Sequence, residues 1–79
     1  MILLYEYGKN GEARRPMFGG RPIKMDCPGI HHDIEVRAPQ YNEDGVYLVL
    51  SVKHRIMGPH HQDDMWPIVT VQRVGDLSP

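Results

Sequence analysis

Apolar and polar residues alternate with a period of two along five stretches of this chain, and no stretch repeats convincingly at helical spacing. Such alternation puts successive side chains on opposite faces of an extended backbone, so it predicts strands with one buried and one wetted face. The clearest run is Val46 to Ile56, where Val46, Leu48, Leu50, Val52 and Ile56 are expected to face inward and Tyr47, Ser51, Lys53 and Arg55 outward. Ile30 to Ala38 repeats the pattern, with Ile30, His32, Ile34, Val36 and Ala38 inward against Asp33, Glu35 and Arg37. In the first residues Met1, Leu3, Tyr5 and Tyr7 share one face and Ile2 and Leu4 the other. Both faces are apolar, which is the mark of a strand covered on two sides, so this strand is expected to be central. Ile68 to Val74 begins β-branched and turns amphipathic through Gln72 and Arg73. Pro22 to Cys27 is a shorter candidate, in which Ile23, Met25 and Cys27 alternate with Lys24 and Asp26.

The punctuation agrees with this reading. Gly8-Lys9-Asn10-Gly11 and Asn42-Glu43-Asp44-Gly45 supply residues that tolerate positive φ in tight turns. The first predicts a hairpin whose second arm, Glu12 to Phe18, is an edge strand interrupted by Pro16. Gly19-Gly20, Cys27-Pro28-Gly29 and Gly58-Pro59 mark further corners, and seven prolines discourage any long helix. Only Pro59 to Met65 leaves room for a helical turn. Residues 1–79 are therefore expected to form one all-β domain, an antiparallel sheet of five or six strands, barrel-like or a short sandwich, with at most one short helical turn. A sheet with one short helix is the second choice.

Length and composition then narrow the functional classes. A chain of 79 residues has room for one domain, and at that size folding buries roughly 60% of the unfolded surface, so a second subunit is a natural supplement to the core. Cys27 is the only cysteine, which rules out a disulfide within one chain and points to a reducing compartment. The first residues lack the basic stretch and apolar run of a signal peptide, and no run approaches the ~20 apolar residues of a membrane span, so a cytoplasmic protein is expected. The net charge is −1, but it is unevenly spread. Lys9, Arg14, Arg15, Arg21 and Lys24 make the first third basic, and Asp26, Asp33, Glu35, Glu43 and Asp44 make the middle acidic. Such polarity orients encounters with a partner or a second copy even when the total is small.

The chemistry-bearing residues do not assemble into a motif. Cys27, His31 or His32, and His60 or His61 form a set that zinc accepts, with Asp63 or Asp64 nearby. Adjacent histidines on a strand face opposite ways, however, and paired ligand spacing is incomplete, so no metal or other cofactor is expected and zinc stabilisation stays the third reading. Cys27 precedes Pro28-Gly29 with no helix N-terminus to lower its pKa, and Glu43-Asp44 and Asp63-Asp64 read as turn carboxylates, so catalysis is not expected. Nucleic-acid binding is the second reading, because Arg14, Arg15, Arg21 and Lys24 lie near Phe18 and the first tyrosines, but the acidic middle opposes a broad positive field. A protein-binding surface remains, with Arg14, Arg15, Tyr41, Tyr47, Met57, His60, His61, Met65 and Trp66 as its expected contacts, in two regions around Arg14–Arg15 and Met57–Trp66. In size and composition the chain resembles the accessory proteins with which phages and mobile elements block host complexes. That analogy implies an inhibitor or adaptor acting by surface occlusion of a protein partner, with a homodimer formed at a sheet edge as a further expectation.

Overall fold

The computed structural model describes residues 1–8, 14–55 and 66–77. They form strands β1 (Leu3–Glu6), β2 (Arg15–Pro16), β3 (Asp33–Val36), β4 (Gly45–Lys53) and β5 (Ile68–Gly75), with single 3-10 turns at Phe18–Gly20 and Pro39–Tyr41. The strands make one sheet in the order β2-β1-β5-β4-β3, so the all-β reading of the sequence is correct. No helix among the described residues is long and apolar enough to cross a membrane.

Three neighbouring pairs, each of strands that follow one another in the chain, are antiparallel, but β1 and β5 run parallel, with Leu3 beside Ile68 and Glu6 beside Val71. The turn argument applies to strands that follow one another in the chain. These two lie at opposite ends of the sequence, and nothing local fixes their direction. The central place in the sheet belongs to β5, with β1 beside it. The β1–β2 pair sets Tyr5 opposite Pro16 and Glu6 opposite Arg15, which leaves the proline on an edge strand where its missing N–H costs no ladder bond. The tip of that hairpin, residues 9–13, lies outside the described residues, as does the expected helical turn at 59–65. Pro22 to Cys27 contributes only an isolated bridge in place of a strand, in which Ile2 and Ile23 exchange hydrogen bonds of 2.9 and 2.7 Å.

The faces of β4 need correcting. Tyr47 and Val49 are buried, whereas Val46, Leu48 and Leu50 are half-buried on the opposite face. The ladder shifts register between Val49 and Ser51, and this irregularity returns Val52 to the inner face opposite Val69. Alternation read straight through such a bulge inverts one half of the strand. On β3, Val36 is buried and Ile34 half-buried as expected, but Ile30 and His32 are exposed. His31 sits in the left-handed region with φ 68°, and His32 turns back to accept a 3.3 Å bond from the Gly29 N–H on Nδ1. Alternation therefore begins only at Asp33.

The core consists of Ile2, Leu4, Met17, Phe18, Val36, Ala38, Tyr47, Val49, Val69 and Val71, with Ile23, Met25, Ile34 and Val52 packed against it. These residues come from all parts of the sheet and from the turn after β2. Contact between Phe18 and the segment that follows β3 means that the sheet curls, bringing its two outer strands toward one another.

Candidate functional site beside the edge strand

The curl is fastened by Glu43. Its Oε1 accepts a 2.8 Å hydrogen bond from Arg15 on β2, and its Oε2 accepts a 2.9 Å bond from the backbone N–H of Phe18. The backbone makes this possible at Phe18, which adopts φ 56° and is followed by Gly19 and Gly20 at 66° and 79°. A left-handed phenylalanine is unfavourable by itself, so the conformation is held by what it contacts. The ring of Phe18 meets Tyr41 edge to face, with centroids 5.4 Å apart. Glu43 is 6% exposed, an uncommon place for a carboxylate without partners. Its two donors supply them, and the Arg15 guanidinium, also bonded by Glu6 at 2.7 Å, is held more firmly protonated by Glu43 first and Glu6 second.

Below this fastening the curled sheet stays open. A groove of about 340 Å³ runs along the outer side of β3, lined by Ile34, Val36 and Ala38 on one wall and Phe18, Ile23 and Met25 on the other, with Tyr41 at its rim. The backbone of β3 faces this groove. Val49 N–H donates to His32 C=O, and the Asp33–Leu48 register then directs the polar groups of Ile34 and Val36 to β4. The next residue in that alternation, Ala38, donates its N–H to the Asp44 carboxylate. Asp33, Glu35 and Arg37 consequently turn their N–H and C=O groups away from the sheet, and no strand among the described residues takes them up.

A second cavity, of about 370 Å³, lies at the polar end among Glu6, Arg15, Asn42, Asp44, Tyr47 and Arg73. Its cations are already engaged. Arg15 is held by two carboxylates, and Arg73 bonds Asp76 and the Asp44 carbonyl, with its pKa raised chiefly by Asp76. This end is a polar network, and among the described residues that line it no cation is left free for an anionic ligand.

The residues expected to touch a partner are dispersed by the fold. Arg15 is a structural clasp. Arg14 lies across the second face of the sheet, donating a 3.2 Å bond to the buried Thr70 hydroxyl with its guanidinium carbon 6.0 Å from the Tyr5 ring centre. Tyr47, expected to point outward, is 2% exposed and donates its hydroxyl to Glu43 C=O at 2.9 Å. Burial pushes its pKa up, and the nearby Glu6 adds to the shift. Trp66 is half-buried, and its carbonyl accepts from Arg55. Met57, His60, His61 and Met65 lie outside the described residues. Of the expected contacts among the described residues, only Tyr41, 41% exposed, stands at the groove. Among the described residues no three His, Cys, Asp or Glu side chains gather to hold a metal ion, and Cys27 is free and exposed.

The chain matches no protein-family model, no curated protein and no solved structure. Function must be argued from this geometry. The residues that alternation alone could not nominate are Glu43, Phe18, Ile23 and Met25, because their grouping depends on the curl of the sheet. The apolar side of β3 was visible in Ile34 and Val36; that β3 lies at an edge was not.

Proposed function

We propose that this protein is a small non-catalytic protein-binding module, an inhibitor or adaptor that works by covering a surface of a partner complex. The observation that carries the reading is the unladdered edge of β3 running beside an apolar groove. An extended segment of a partner can add to such an edge, making main-chain hydrogen bonds with Asp33, Glu35 and Arg37 while its alternate side chains enter the groove. Tyr41 gives the rim an aromatic anchor of the kind that dominates binding energy. A cytoplasmic setting suits a single free thiol, and a phage or mobile-element origin extends the resemblance in size and composition. Arg15, one of the four cations of the nucleic-acid reading, is occupied by Glu6 and Glu43, which weakens that alternative.

The test is affinity capture from host lysate with the native protein and a Tyr41→Glu variant, each washed at high salt and treated with nuclease. Tyr41 is substantially exposed, so the variant should keep its fold, checked by circular dichroism. A discrete protein complex that resists salt and nuclease and is lost with Tyr41→Glu supports the module. Recovery that disappears on nuclease treatment would replace it with nucleic-acid binding.

A further inference from the structure

The free edge of β3 has a sequence that complements itself. Along β3 and the two residues that follow it, outward-facing groups run in the order Asp33, Glu35, Arg37 and groove-facing groups in the order Ile34, Val36, Ala38. Opposite residues in an antiparallel pair lie on the same face. A second copy can therefore keep its apolar side in register only if the two-fold axis passes through a single residue of β3. An axis through Ile34 sets Asp33 against Glu35 of the second copy. An axis through Glu35 sets Asp33 against Arg37 of the second copy, twice by symmetry, but also the two Glu35 carboxylates against each other. An axis through Val36 sets Glu35 against Arg37 of the second copy, twice by symmetry, and places no like charges opposite.

Hydrogen bonding is satisfied in this register as well. Glu35 and Arg37 are residues whose N–H and C=O groups point away from β4, so in the Val36-centred pair they exchange bonds with each other across the axis. Both side chains are well exposed, at 53% for Glu35 and 63% for Arg37, and their ion pair within one chain is a surface contact of little weight. It can be exchanged for the same pair between chains without burying an unpartnered charge. We infer that two copies of this chain associate through β3 in this antiparallel register, extending the sheet across a two-fold axis and covering the groove that flanks the edge. The partner proposed above would occupy the same edge, so self-association and partner binding compete.

The experiment is sedimentation equilibrium of the purified full chain across a dilution series from millimolar to submicromolar. The wild type is expected to pass from dimer to monomer. Glu35→Arg and Arg37→Glu should each weaken association by about tenfold or more, since two cross-strand attractions become repulsions. The double variant carrying both changes should recover it, because the exchange again sets opposite charges across the Val36-centred axis. A wild type that stays monomeric throughout overturns the inference, as does a double variant no better than the single ones. Single variants that dimerise like the wild type overturn it too. The measurement uses the pure protein alone, so a monomeric result leaves the partner reading to its own capture test.

Discussion

Tyr47 shows what a side chain's neighbours decide that its sequence position does not. Between Val46 and Leu48 it occupies the parity of Ser51 and Lys53, and a phenol has a polar end, so the sequence pattern puts it on the wet face. The folded chain instead buries the ring beside Ile34 and gives the hydroxyl one acceptor, the Glu43 carbonyl. An aromatic ring brings more apolar area to a small core than a valine, which favours this choice once an acceptor is in reach. Tyr47→Phe keeps the ring and deletes the bond, and should cost about 0.5–1.5 kcal/mol at neutral pH. Its pH dependence carries the sign of the shift. The folded state holds the phenol protonated above the ordinary value near 10, so the contribution is complete below the unfolded pKa and fades as pH rises through the folded one. Urea midpoints of wild type and variant measured toward high pH should converge. A gap that stays constant or widens would mean that the hydroxyl is not held neutral by burial.

Between elements, the connection after β3 matters more than its turn-like composition suggests. Glu43-Asp44 reads as a solvated pair, and the turn chemistry around it is as expected, with Asn42 at φ 56° and Gly45 at 156°. Yet Asp44 takes the Ala38 N–H, and Glu43 reaches across to β2 and Phe18. The strands themselves were legible in alternation, β-branching and glycine placement, because those are local properties. The parallel β1–β5 pair, the β4 bulge and the Glu43 clasp were not, because each depends on residues far apart in the chain. Glu43→Gln tests the clasp. The amide retains the shape but can leave the buried Phe18 N–H facing a second donor, at a cost of about 1–3 kcal/mol. Glu6→Gln is the control, since it removes only the more solvated partner of Arg15, and a surface pair of that kind is worth at most about 1 kcal/mol. Chemical denaturation should rank Glu43→Gln well below Glu6→Gln. Equal losses would show that the curl is held by apolar packing alone.

For the whole molecule, the question is what completes a small sheet that has curled without closing. β5 is flanked on both sides by neighbouring strands and contributes Val69, Thr70 and Val71 to the interior, whereas one row of β3's backbone groups is taken up by no strand among the described residues. Edges of this kind are usually blunted by charge, and Asp33, Glu35 and Arg37 do supply charges, but in an order that leaves one register with no like charges opposite. Pairing there adds ladder bonds and removes the groove from water, so it stabilises the fold as well as the dimer. Mass action makes that testable by heat: a state that binds only when folded raises Tm as concentration rises above the dissociation constant. In a domain of this length about 1 kcal/mol corresponds to a shift of about 4–8 °C, so a hundredfold increase in wild-type concentration should move Tm by several degrees. Arg37→Glu should melt at a temperature nearly independent of concentration, and the double charge exchange should regain the dependence. If wild type and Arg37→Glu show the same flat dependence, the edge is capped by its charges rather than by a second copy, and the folded monomer is the form present in solution.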